Sequence, residues 1–189
     1  MTELNTDYIN PSPKSETTLW FNGRNNAKTG TYNYDKNIKS KSIDKIAKVR
    51  WNTSRTTYNA SALNSYNQER STTPISKQDD NVLRKNTWDG KIALIYPSDY
   101  GYASTDTTCR SNLSNCDNAD SKANNWLFNG ANQWTLSPYS GSENNVFYVY
   151  SGGKVHGNVA GRAVGVRPVL FLKSDVVIAG GTGESIENA

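Results

Sequence analysis

The chain has 189 residues, 35% of them hydrophobic and 11% aromatic, with a mean hydropathy of -0.74. That length suffices for one domain with a real core, and five Trp with eleven Tyr exclude a disordered polypeptide, which is poor in aromatics. The net charge is +4, but no stretch approaches the roughly 20 apolar residues of a membrane span.

Residues 1–17 are polar, with Pro11 and Pro13, and read as a tail. They do not form a signal peptide, so an exported protein of this kind is expected to have a leader or anchor upstream. Residues 18–23 ("TLWFNG") read as a short strand and residues 29–35 as another extended piece or turn. Lys36, Lys39, Lys41, Lys45, Lys48, Arg50 and Arg55 carry much of the positive charge. No nucleic-acid motif accompanies them, so they read as a solvated helix face and no nucleic-acid partner is expected.

"SIDKIAKVRW" reads as a helix capped by Ser42, with Ile43, Ile46, Ala47 and Trp51 on one face. Residues 59–70 read as a second, weaker helix with Ala62, Leu63 and Tyr66 inward. Residues 72–86 read as a polar loop. Asp89 and Gly90 then signal a turn, residues 91–96 an apolar strand, and Pro97 its end. Asp99 and Gly101 mark a tight loop among Tyr96, Tyr100 and Tyr102.

Residues 105–122 form a polar loop holding Cys109 and Cys116, the two cysteines of the chain. A small disulfide loop in an exported protein is the leading expectation, with free thiols as the alternative. A tetrahedral metal site needs four ligands, and the chain has one His. No metal or other cofactor is expected.

Trp126 to Phe128 is a short element, Gly130 a turn, and residues 133–136 a strand. After Pro138 comes the polar "YSGSENN". Residues 146–150 then pair as a hairpin with Lys154 and Val155 across the turn "SGG". Alternation sends Phe147 and Val149 to the core and Tyr148 and Tyr150 to the opposite side. Residues 156–164 show no period. Residues 165–172 are nearly continuous in apolar side chains and read as a strand buried on both faces, with Arg167 paired inside it. Residues 180–189 read as a flexible tail. Two helices followed by many short strands give an α+β domain with small antiparallel sheets and long loops over residues 18–179.

The combination of "WDGKIALIYPSDYGYAS", "NNWLF", "QWTLSP", "VFYVYSGG" and "GVRPVLFLKS" resembles the C-type-lectin-like variable proteins of bacterial diversity-generating retroelements. The surface and pilin-like members from gut Firmicutes are the nearest in character, and the resemblance covers roughly residues 51–174. It implies a C-type-lectin-like fold and an extracellular, cell-surface module that binds a protein or glycan ligand. The C-terminal hairpin and its loops would present diversified side chains on a fixed backbone.

On that resemblance the ligand-contact residues are Tyr139, Ser140, Ser142, Asn144, Tyr148, Tyr150, His156, Asn158, Arg162 and Val164. Adenine-directed diversification suits His156, Gly157, Asn158, Arg162 and Val164, and suits Glu143 and Lys154 less well. The "EPN", "QPD" and "WND" triplets of calcium-dependent sugar binders are absent from the sequence, so no calcium site is expected.

A pilin-like or surface-assembly subunit is an alternative role. The same fold class also includes formylglycine-generating enzymes, which use cysteine pairs, and this is the third reading. No catalytic residue is expected: His156 has no acid near it in sequence, and Cys109 and Cys116 lie in a polar loop where a structural staple fits better than a reactive pair. None of the glycine-rich stretches joins a strand to a helix as a phosphate-cradling loop does.

Overall fold

In the computed structural model, whose described residues are 40–71, 75–76, 83–84, 86–142, 144–162 and 164–176, the first expected helix is largely extended chain. Helix α1 is one turn, Ser40–Ile43, so Ser42 lies inside it and does not cap it. Strand β1 follows at Val49–Asn52 and pairs antiparallel with β4, Thr87–Gly90. Asp89 and Gly90 are therefore ladder residues opposite Arg50 and Val49, and not a turn. Arg50 Nε donates to Asp89 Oδ1 at 3.1 Å, and Trp51 Nε1 donates to the Gly90 carbonyl at 3.0 Å. Ile46 and Trp51 are buried as the sequence pattern requires. Distant partners bury them, however: Ile46 bridges Leu172, and Trp51 faces Trp88.

Helix α2, Ala62–Glu69, begins where Ser61 accepts from the Asn64 amide at 3.1 Å. Its buried residues are Ala62, Ser65 and Glu69. Leu63 is 58% exposed and Tyr66 43%, so the helix is rotated from its expected facing. The reason lies in the neighbouring helix. α3 is Pro97–Tyr102, and its Ser98 donates to Glu69 from both backbone amide and hydroxyl. A buried carboxylate with that partner fixes the rotation more firmly than one exposed Leu could.

Pro97 starts α3 and does not lead into a tight loop. Proline suits the first helical turn, where its missing N–H has no intrahelical acceptor. Asp99 completes the start by accepting from the Tyr96 amide at 3.0 Å. Residues 72–86, expected as loop, contain a two-residue ladder between β2, Ile75–Ser76, and β3, Leu83–Arg84.

The cysteine segment is mostly helical turns: α4, Thr107–Ser111, a 3₁₀ turn at Leu113–Asn115, and α5, Ala119–Ala123. Asp106 and Asn118 cap the two α-helices. Hydrogen bonds from the Ser121 hydroxyl, the Thr108 amide and the Asn118 side chain pull the Asp106 carboxyl down to about 2. Cys109 and Cys116 form a disulfide.

Strand β5, Ile92–Leu94, pairs antiparallel with β9, Pro168–Leu170. The last strand is thus shorter than the apolar run 165–172, and Leu170, Phe171 and Leu172 are exposed, not buried on both faces. Proline at position 168 supplies no amide to a ladder, which suits a short, two-stranded edge. Arg167, expected to be paired and buried, is half-buried, and its Nη1 donates to the Leu127 carbonyl at 2.7 Å; among the described residues it has no carboxylate partner.

The largest sheet has three strands, β6 (Gln133–Pro138), β7 (Asn145–Val149) and β8 (Val155–Val159), in that order. The Leu136 amide donates to the Ile95 carbonyl at 2.8 Å, which ties β6 to the end of β5. Tyr100, Ile95, Leu113, Leu127, Phe147, Val149, Val155 and the disulfide make one core cluster between this sheet and the helices. The fold is α+β with small antiparallel sheets. Among the described residues no helix is long and apolar enough to cross a membrane. The expected strand at 18–23, the extended piece at 29–35 and the two polar tails lie outside the described residues.

Candidate functional site

The hairpin of β7 and β8 carries most of the expected contact residues, and its two faces differ. Phe147, Val149 and Val155 are buried in the core. On the other face, register sets Trp134 beside Tyr148 and Tyr148 beside His156, one row across three strands. Ring centroids lie 5.9 Å apart between Trp134 and Tyr148, and 6.3 Å between Tyr148 and His156. Val146 and Asn158 form the next pair on that face. Tyr150 stands beyond the strand, exposed, with its ring centroid 6.3 Å from that of Tyr148.

The row is partly roofed. The chain after β8 turns back so that Gly165 bridges Gln133 and accepts from the Trp134 amide at 2.9 Å. Val164 thereby closes over Trp134 and Tyr148. Tyr148 is 9% exposed and Val164 6%, so the expectation that both present their side chains to solvent is corrected. They are the floor of the face, and Tyr150, His156 and Asn158 lie beside them on that side of the hairpin.

His156 is exposed, and its Nδ1 lies 2.7 Å from the Gly157 carbonyl. A carbonyl only accepts, so Nδ1 is the donor in that contact, and the Tyr58 hydroxyl lies 3.4 Å from the same nitrogen. Asn158 is half-buried and accepts from the Val159 amide at 2.9 Å. Arg162 is exposed at the end of the hairpin.

Ser140, Ser142 and Asn144 lie in the β6–β7 loop at that same end, where the Asn144 carbonyl accepts from the Ala160 amide at 2.9 Å. Ser140 and Asn144 are exposed and Ser142 is half-buried. Tyr139 does not join them: its ring packs edge-on against Tyr58 at 4.3 Å and Phe147 at 5.6 Å, on the core side of the sheet. Glu143 lies outside the described residues.

Tyr58 was not legible as a site residue. It lies between β1 and α2, just before Asn59, which holds the left-handed conformation at φ 56°. Its hydroxyl accepts from the Gly157 amide at 2.7 Å and thereby occupies one donor on the outer edge of β8. A Cβ built on Gly157 would fall 2.3 Å from that hydroxyl. Gly157→Ala is therefore expected to destabilise the domain by about 1–2 kcal/mol, whereas Asn158→Ala stays within about 0.5 kcal/mol; denaturant midpoints measure both. Equal midpoints for the two variants would remove Gly157 from the scaffold and return it to the freely variable positions.

A cavity of about 690 Å³ lies elsewhere, and none of the ten expected contact residues lines it. Among the described residues, no group of three or more His, Cys, Asp or Glu is placed to hold a metal ion. No curated protein and no solved structure matches the chain. A family model does match residues 97–174, from the start of α3 through the disulfide segment, the three-stranded sheet and β9, and that family is described as a domain of unknown function, DUF6273.

Proposed function

We propose that the domain is a C-type-lectin-like ligand-binding module, displayed outside the cell, that holds a protein or glycan on the outer face of its β7–β8 hairpin. The observation that carries this reading is the two-sided hairpin. One face is locked into the core by Phe147, Val149 and Val155, while Tyr150 and His156 stand exposed beside the Trp134–Tyr148 floor on the other, and Arg162 is exposed past the end of β8. Rigid strands with adaptable polar and aromatic side chains above them suit contact recognition without chemistry. The disulfide is compatible with an oxidising compartment.

The resemblance to retroelement-diversified proteins extends the proposal. The exposed His156 and Arg162 and the half-buried Asn158 would be the varied positions, and Gly157, Tyr148 and Val164 would be held by packing. An imperfect repeat of the coding segment for residues 139–170, differing at adenines and lying near a reverse transcriptase gene, is the expected genomic signature. A locus lacking both would leave a binding module without the diversification.

The contact face itself is tested on a glycan array and on surface extracts of neighbouring cells. For a ligand captured by the wild-type protein, Tyr150→Ala, His156→Ala and Arg162→Ala combined are expected to weaken binding by at least about tenfold. The melting temperature should hold, because all three side chains are exposed. Unchanged affinity in that triple variant would move the ligand site off the hairpin.

A further inference from the structure

We propose that the cavity beside Trp126 is a second ligand site, built for a small carboxylate carried on a flat ring, with Arg167 as the partner of the anion. The cavity holds about 690 Å³, within the range of pockets that enclose small ligands. It goes beyond the hairpin reading, since it shares no residue with that face.

Its walls are aromatic and unusually open to water. Trp126 is 76% exposed although its turn is firmly fixed. Its neighbour Asn125 donates to the Tyr100 carbonyl at 3.0 Å and accepts from the Leu127 amide at 3.0 Å. Phe171 is 57% exposed and stacks on Trp51 with ring centroids 5.2 Å apart, and Tyr102 is exposed in the same cavity. Exposed aromatic groups held on ordered backbone around one concavity mark a binding surface more often than a random surface does. Flat faces of this kind stack on aromatic or sugar rings.

The charge is what selects the class. Three arginines line the cavity. Arg50 is tied to Asp89 at 3.1 Å. Arg70 is tied to Asp99 at 3.1 Å and lies 3.8 Å from Glu69. Among the described residues Arg167 has no carboxylate partner, and the hydrogen bond its guanidinium makes to them runs from Nη1 to the Leu127 carbonyl. A half-buried guanidinium pinned at one corner keeps further donors for a carboxylate, the geometry that arginine recognises best. Asp99 is also in the wall, but Arg70 matches its charge.

A ring with a carboxylate can be an aromatic acid or an acidic sugar, and calorimetric titration of the full chain separates the two. The probes are indole-3-acetate with its neutral twin indole-3-acetamide, and galacturonate with galactose. One acid is expected to bind saturably, at least about tenfold tighter than its twin. Trp126→Ala should weaken that acid and its twin alike, since the side chain is exposed and supplies a stacking face. Arg167→Gln should erase the preference for the acid. If that variant does not fold, Arg167→Lys serves, and weaker binding with the preference retained is the expected result. Tyr150→Ala should leave both affinities unchanged, which keeps this site distinct from the hairpin face. Neither acid binding, a neutral twin binding as tightly, an unaltered preference in Arg167→Gln, or undiminished binding in Arg167→Lys would overturn the proposal.

Discussion

Between about pH 4 and pH 8 the Glu69 side chain alone is expected to remove about 3 kcal/mol from the stability of the domain. Glu69 is fully buried, and burial pushes its carboxyl up to about 7, against the opposing pull of Ser98 and Arg70. A carboxyl whose folded pKa is raised binds its proton more tightly in the native state than in the unfolded chain. Stability from this group is therefore full below the unfolded value of 4.5 and falls as pH climbs to about 7, the reverse of an ordinary paired carboxylate. Glu69→Gln isolates the effect, because it keeps the shape and an acceptor for the Ser98 hydroxyl. The stability of the variant minus that of the wild type should rise by about 3 kcal/mol over that range in urea unfolding. Parallel pH curves for the two proteins would show that Glu69 titrates as it does in the unfolded chain.

The same residue shows where reading from sequence runs out. Glu69 ends a helix in a polar stretch, and nothing local says that it lies at 0% exposure against Ser98, 29 residues on. The inward stripe of α2 is Ala62, Ser65 and Glu69, which is too small and polar to outweigh Leu63 and Tyr66 in any hydrophobic pattern. In and just before β1 the buried positions Trp51 and Ile46 were legible, but their spacing also fits a helix. The contest was decided by pairing with Leu172 and with β4, about 40 residues or more away.

The hairpin was legible because period-two alternation across "VFYVY" needs no distant partner to be read, and Phe147 and Val149 do fill the core. The floor of the contact face was not legible. Tyr148 obeys the alternation, yet it is roofed by Val164 and flanked by Trp134, through a register and a chain return that no short window contains. The cavity at Trp126 is assembled from five separated stretches of chain, so it too exists only in the fold.

Reduction of the Cys109–Cys116 bond should lower stability by about 2–3 kcal/mol and should loosen the contact face before it loosens the β1–β4 pair. The loop it closes is short, with a sequence separation of 7, so the chain-entropy gain is at the low end of the usual range. Its position makes it matter more to the hairpin. Both sulfurs are buried in the cluster that holds Phe147, Val149 and Val155. Gly153, in the β7–β8 turn, has φ 105°, and a Cβ there would fall 2.7 Å from the Cys116 carbonyl. The turn thus rests directly on the disulfide segment, and only a residue without a side chain both adopts that backbone and fits that gap. Release of the segment removes the support under the turn. Amide exchange should then quicken first at Gly153, which donates to the Tyr150 carbonyl at 2.7 Å, and at Tyr150, which donates to the Lys154 carbonyl at 2.9 Å. The β1 and β4 amides should keep their protection under the same reductant. An unchanged unfolding midpoint would contradict the stabilising role, and protection lost evenly across the molecule would contradict the link between the disulfide and the face that binds.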